Sequence, residues 1–216
     1  MRSALIVYGG WDGHDPEECA TIYRRWLHED GYSVRTATET SAFADPSIRD
    51  LSLIVPIFTM SKIAKEEVEN LTKAVEGGVG LAGHHGGMSD AFREAVEYQF
   101  MVGGQWVAHP GNIIDYTVDV TKADDPIMEG IPASFPYRSE QYYMHVDPSN
   151  EVLATTTFSG AHASWIEGVV MPVVWKRRHG KGRVFHMTLG HQAKEFENPN
   201  MATIMRRGMN WAAREE

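Results

Sequence analysis

Three segments of this sequence place histidine just after an apolar run and beside glycine: Gly9-Gly10-Trp11-Asp12-Gly13-His14-Asp15, Gly83-His84-His85-Gly86-Gly87 and Thr188-Leu189-Gly190-His191-Gln192. Imidazole offers a lone pair near neutral pH, so each histidine could serve as general base, general acid or metal ligand. A lone loop histidine is ordinarily a surface hydrogen-bonder, and only convergence of the three loops would give them a joint task. The glycines of the second segment suit a nucleophile elbow, the tight strand-to-helix turn that presents one central side chain above a sheet. Here that side chain is His85. Adjacent residues in such a turn diverge, and the elbow analogy favours His85 over His84 as the inward one. The plainer alternative is a glycine-rich turn that only lets a helix pack closely. A further segment, Tyr137-Arg138-Ser139-Glu140-Gln141-Tyr142-Tyr143, sets a carboxylate among aromatic rings in a loop-rich stretch. Glu140 could be acid, base or ligand, and the rings could be sugar platforms; otherwise it is an exposed acid beside two packed tyrosines. Trp106 and His109 are candidate pocket walls, whereas His28, His162 and His179 read as structural or surface histidines.

The elements around these segments show how they could be brought together. Ala4 to Tyr8 is a continuous apolar run closed by glycines, as in a strand buried on both faces. Asp15-Pro16-Glu17-Glu18 then reads as a capping aspartate, a first-turn proline and two carboxylates at the start of a helix that runs to about Asp30, with Gly31 as its stop. Strands over 32–38, 51–58 and 79–83, with a helix over 65–76, continue an alternating β and α rhythm that implies a parallel sheet. Ser89-Asp90 opens a predicted helix to about Phe100, whose N-terminal N–H groups would face the same pocket and suit an oxyanion or a sugar hydroxylate. The second half reads as strands over 112–120 and 151–158, a β-hairpin from Pro172 to Leu189 about His179-Gly180-Lys181-Gly182, and a helix over 200–214. In an open parallel sheet, ligands bind beyond the carboxyl ends of the strands, where all three histidine loops fall.

Composition narrows the class. The 216 residues, 43% hydrophobic and 23% charged, suit one globular domain spanning 1–216. No apolar run approaches the roughly 20 residues of a membrane span, and the N-terminal stretch lacks signal-peptide features, so a cytoplasmic protein is expected. The single cysteine, Cys19, excludes an intramolecular disulfide framework and a cysteine-based zinc cluster. A net charge of −9 argues against nucleic acid as a partner and leaves a small molecule. A homodimer is compatible with the class, although no segment identifies its interface.

These segments resemble the ThuA-like, or trehalose-utilisation, family within the class I glutamine amidotransferase-like superfamily. The resemblance covers nearly the whole chain and is most specific over Pro172-Val173-Val174-Trp175-Lys176, Gly180-Lys181-Gly182-Arg183-Val184-Phe185-His186 and Leu189-Gly190-His191. It implies a flavodoxin-like α/β fold, a three-layer sandwich with a mainly parallel central sheet and a C-terminal β-hairpin. It also implies a role in sugar catabolism, for some members on 3-keto sugars made by a partner dehydrogenase. Glutamine amidotransferases carry a catalytic cysteine at the elbow; this chain has His85 there and Cys19 in its first predicted helix, which excludes a thiolate amidase. The spacing after the first strand does not fit the Gly-x-Gly-x-x-Gly fingerprint, and neither a nicotinamide nor a flavin cofactor is expected.

The leading expectation is an enzyme acting on an oxidised, 3-keto sugar or glycoside, because the ketone acidifies the neighbouring C–H. His85, Glu140 and His191 are the candidate catalytic residues, with His85 or Glu140 as base. Trp11, Asp12, His84, His109, Tyr142 and Tyr143 are the candidate substrate contacts. His14, His85 and His191, with Glu140 as a fourth, could hold a divalent metal such as zinc or manganese, although no compact motif such as His-Glu-x-x-His is present. A metal-free version would use His85 and the helix N-terminus. The alternatives are a sugar-binding or regulatory module without catalysis and a metal-dependent ester or amide hydrolase.

Overall fold

The structure, a computed structural model, describes residues 2–215. β1 (Ser3–Gly10) leads through α1 (Pro16–Glu29) to β2 (Ser33–Ala37), β3 (Leu53–Thr59), α2 (Lys65–Glu76) and β4 (Gly80–His84). Two short helices follow, α3 (His85–Ser89) and α4 (Val96–Val102). Then come β5 (Gly104–Ala108), β6 (Ile113–Val120), β7 (Ser134–Glu140), β8 (Tyr143–Val146) and β9 (Glu151–Thr157). The hairpin of β10 (Val170–His179) and β11 (Gly182–Met187) precedes α5 (Pro199–Ala212). Nine strands form one sheet in the order β2-β1-β3-β4-β11-β10-β9-β6-β7, and β5 pairs with β8 in a separate antiparallel ribbon. The sheet is parallel from β2 to β11 and antiparallel beyond it.

Alternation along β1 builds the three layers. Ala4 and Ile6 face a core that includes Tyr23 and Leu27 of α1 and Ile204 and Met205 of α5. Leu5 and Val7 face the opposite core, with Leu71 and Val75 of α2 and Met101 of α4. Every residue of β3 is buried, as covered faces demand. This is the flavodoxin-like α/β arrangement expected from the sequence, extended by the antiparallel strands. Among the described residues no helix is long and apolar enough to cross a membrane.

Two expectations about local structure give way to non-local hydrogen bonds. The helix predicted over 89–100 is broken, because the N–H groups of Met60 and Ser61 donate to the carbonyls of Asp90 and Ala91 at 2.8 Å and take them out of any helical ladder. Ser89 therefore closes α3 instead of opening a helix, and its hydroxyl donates to the His85 carbonyl at 2.9 Å. The N–H array expected at Ser89-Asp90 is not formed. Asp15 does stand at the N-cap of α1, yet its carboxylate makes no capping bond and accepts instead from the N–H of Ala193 at 3.2 Å.

Glu140 ends a strand, not a loop. Four antiparallel pairings separate β7 from β11, so β7 again runs in the sense of the parallel strands and its carboxyl end lies on their ligand-binding edge. Laid flat, five strand spacings of roughly 4.8 Å would keep β7 about 24 Å from β4. The actual approach is 3.1 Å between Glu140 and His85, so the sheet curls strongly. Register shifts in β10 between Pro172 and Trp175 mark where it bends.

Candidate functional site

His85 sits at the turn from β4 into α3 with φ of 46°, the left-handed conformation of a strained elbow. The turn needs its glycines: a Cβ on Gly86 would lie 2.7 Å from His14 Cε1, and one on Gly83 would lie 2.8 Å from Met88 Cβ. The other left-handed non-glycine residues among those described are Asp15, Met60 and Asn112. Asp15 follows His14, and Met60 and Asn112 line the cavity over the cluster, so backbone strain concentrates at this one place.

The three histidine loops do converge. His14, His85, His191 and Glu140 each direct one donor atom to a common point, all within 4.8 Å of one another. The ring centroids of His14 lie 4.8 Å from those of His85 and 5.0 Å from those of His191. Thr59, at the end of β3, holds His14 Nδ1 through its hydroxyl at 2.8 Å. His85 Nδ1 lies 2.6 Å from the Thr188 carbonyl, which can only accept, so the proton of that imidazole resides on Nδ1. Its Nε2 then turns toward Glu140 Oε2 at 3.1 Å. His191 Nδ1 lies 3.3 Å from the same oxygen but forms no hydrogen bond. A lone pair of His85 Nε2 aimed at a carboxylate oxygen requires either a second proton on that imidazole or a cation between them.

Electrostatics keep two members of the cluster, His14 and Glu140, in their ligating forms. Burial, reinforced by the charges of His85 and His191, pushes His14 down to about 2, so its imidazole is neutral. Burial alone would raise Glu140, but the neighbouring imidazoles of His191 and His85 hold it below the usual carboxylate range, so it is ionised. Three imidazoles and one carboxylate are a donor set that could hold a zinc- or manganese-class ion, with Thr59 and the Thr188 carbonyl fixing two of the rings.

Above the cluster lies a cavity of about 310 Å³ walled by Trp11, Met60, Arg93, Trp106, His109 and Asn112. Trp11 packs over His14 at 4.7 Å between ring centroids and is 45% exposed, which leaves a free indole face. Tyr142 stacks on His85 at 3.9 Å, and His109 Nε2 lies 3.7 Å from the other oxygen of Glu140. Arg93 covers the Trp106 ring at 4.7 Å while paired with Asp90 at 2.9 Å.

The remaining candidates fall elsewhere. His84 points to the opposite face of the sheet, where its Nδ1 shares a 2.7 Å hydrogen bond with the Tyr23 hydroxyl and its ring meets Phe196. It is a core residue and does not reach the cavity. Asp12 is exposed on the outside of its turn, and Tyr143 packs on Phe158 in a satellite core. His28, His162 and His179 stay outside the cluster. Thr59 and Thr188 are not among the sequence candidates; Thr59 is readable as the polar residue ending an apolar strand run, whereas Thr188 acts through its main-chain carbonyl, which no side-chain pattern reveals.

The sequence profile of a family described as ThuA, trehalose utilisation, matches residues 3–212. The chain belongs to this family. Among solved structures, a ThuA-like protein from Bacteroides uniformis matches with a TM-score of 0.82 at 19% identity, covering 98% of this chain and 91% of that one. A second ThuA-like protein, from Parabacteroides merdae, gives 0.78 at 19% identity, covering 98% and 89%. A β-galactosidase from Bacillus circulans matches at 0.59 and 14% identity over 95% of this chain but 31% of its own, so the ThuA-type fold also occurs as one part of a larger glycosidase. No sequence match to a curated protein is found. The family description points to a sugar-related role, and the ThuA fold here presents a His/Glu cluster at its ligand-binding edge.

Proposed function

We propose that this ThuA-family chain is an enzyme of sugar catabolism that acts on an oxidised, 3-keto sugar or glycoside, with His14, His85, His191 and Glu140 holding a zinc- or manganese-class cation. The observation that carries this reading is the committed Nδ1 proton of His85, which leaves the Nε2 lone pair facing a Glu140 oxygen, with donor atoms of His14 and His191 within 4.8 Å of it. When bound, the cation supplies Lewis acidity toward a substrate carbonyl. The chain's own residues do the rest. Trp11 offers its indole face to a sugar ring. Glu140 and His85, within the donor set, would fix the cation at the floor of the cavity. His109, the imidazole at the cavity wall outside the donor set, takes the proton from C2 next to the ketone; the electron pair passes to the ketone oxygen and returns to form the C1–C2 double bond as the C1–O bond breaks, and the aglycone oxygen leaves with a proton. The family's description as a trehalose-utilisation family supports the sugar, and the ketone is what makes that proton removable.

One observation favours a second, metal-free reading: the 3.1 Å contact between His85 and Glu140 is also the geometry of an imidazolium–carboxylate pair. His85 would then be the acid and Glu140 the base. A module without catalysis is disfavoured, because strain and buried titratable groups gathered in one cavity mark sites of chemistry.

The test offers the protein matched glycosides with and without a ketone at C3, before chelation, after chelation and after zinc or manganese is restored. Consumption of the keto compound alone, falling by ~10²–10⁴-fold on chelation and returning with metal, is the expected outcome. Chelator-resistant turnover of the keto compound selects the imidazolium–carboxylate mechanism. Equal turnover of both glycosides, or of neither in any metal state, contradicts the keto-sugar reading.

A further inference from the structure

We infer that Glu195 is a positioning residue that sets the spacing of the His14, His85, Glu140 and His191 cluster from outside the cavity. This rests on the reading that the cluster holds a divalent cation. Glu195 lies in the one-turn helix Ala193–Glu197, and its carboxylate gathers three donors. The Tyr137 hydroxyl donates to Oε2 at 2.6 Å, the backbone N–H of His191 donates to the same oxygen at 3.3 Å, and the Ser139 hydroxyl donates to Oε1 at 3.1 Å. Tyr137 and Ser139 are the inward-facing residues of β7 just before Glu140, and His191 is itself a donor of the cluster. One carboxylate thus ties two β7 side chains to the backbone of His191 across the 3.3 Å gap between Glu140 and His191.

The same turn reaches a third donor. The N–H of Ala193 donates to Asp15 at 3.2 Å, and Asp15 directly follows His14 in left-handed backbone. Such a strap meets a specific need. Glu140 comes from the far edge of a curled sheet, so no strand ladder fixes its distance from His85 or His191. Metal–ligand distances tolerate only about 0.2 Å. An anionic, acceptor-only group suits three converging donors: glutamine would turn an N–H against one of them, and aspartate falls one methylene short.

The test titrates the metal-free protein with cobalt(II) and follows affinity and the visible absorption, which reports ligand geometry, in the wild type and in Glu195→Gln, with thermal unfolding of the metal-free forms as the folding control. A 10- to 100-fold weaker affinity with an altered cobalt spectrum in a folded variant is expected, the size typical of outer-shell groups. Ser139→Ala and Tyr137→Phe each remove one donor and should weaken binding by a smaller factor, so they carry the test if Glu195→Gln does not fold. Wild-type affinity and spectrum in the folded Glu195→Gln protein, or in both donor variants, would overturn the positioning role while leaving the metal reading intact. A wild type that binds no cobalt would overturn both.

Discussion

His84 and His85 are the same residue one position apart, and the two faces of the sheet make opposite use of them. His84 enters a packed region of Tyr23, Trp26 and Phe196, makes one hydrogen bond and is held neutral by burial, its basicity well below that of a free imidazole. His85 enters a region where a carboxylate, two further imidazoles and a tyrosine ring share an open cavity. Burial and low dielectric are common to both regions. What separates them is convergence: His84 shares one hydrogen bond with Tyr23 among apolar rings, whereas the His85 region leaves donor atoms facing a common point. Several titratable side chains converging on one cavity are the mark of the working face; a single buried, unpaired imidazole such as His186 is not.

The largest expected effect is on that face. His85→Asn keeps a residue that tolerates left-handed backbone and removes the imidazole, and turnover of the keto sugar should fall by ~10²–10⁴-fold. His84→Ala should do the reverse, destabilising the fold by about 2–4 kcal/mol through a cavity and an unpaired Tyr23 hydroxyl while turnover stays within about threefold. Parallel denaturation curves and turnover assays check the pair, and a His84 variant that folds normally but loses turnover would break the contrast.

A smaller effect tests a buried imidazole outside both regions, His186 of β11, which stands opposite Gly83 on the sheet face away from His84. His186 is fully buried beside Trp175, and burial lowers it from 6.5 to about 3. Below pH 6.5 the unfolded chain takes up a proton at this position that the folded chain refuses until about pH 3. The contribution is therefore complete above pH 6.5 and declines by ~1.4 kcal/mol per pH unit as the solution is acidified. Unfolding free energies at pH 7, 6 and 5 should fall less steeply for His186→Phe than for the wild type, by about one proton. An unchanged slope would show that His186 does not titrate in this way.

Much of the parallel half was legible in the sequence. Ala4–Tyr8, Leu51–Phe58 and Val79–Gly83 are apolar runs that only two-sided burial explains, and each ends where an open α/β sheet binds ligands. That logic reaches His14, His85 and His191. It does not reach the structural place of Glu140, whose position depends on the number of strand reversals and on a curl set by irregular pairing in β10. The break between α3 and α4 was hidden for a similar reason, since the bonds that cause it come from Met60 and Ser61 on another loop. The orientation of His84 follows the alternation of β4, as the elbow analogy favoured, but its partner Tyr23 lies on a distant helix. Local pattern shows which residues stand at strand ends and which way they face, and long-range hydrogen bonds decide what they meet.

The most direct measurement is elemental mass spectrometry of the untagged protein after exposure to zinc or manganese and removal of excess, set beside a His14→Ala/His191→Ala double variant. About one equivalent of metal in the wild type, lost in the variant, is the predicted result. A wild type that retains none under these conditions, or a double variant that retains as much, would contradict the assignment of this cluster as a metal centre.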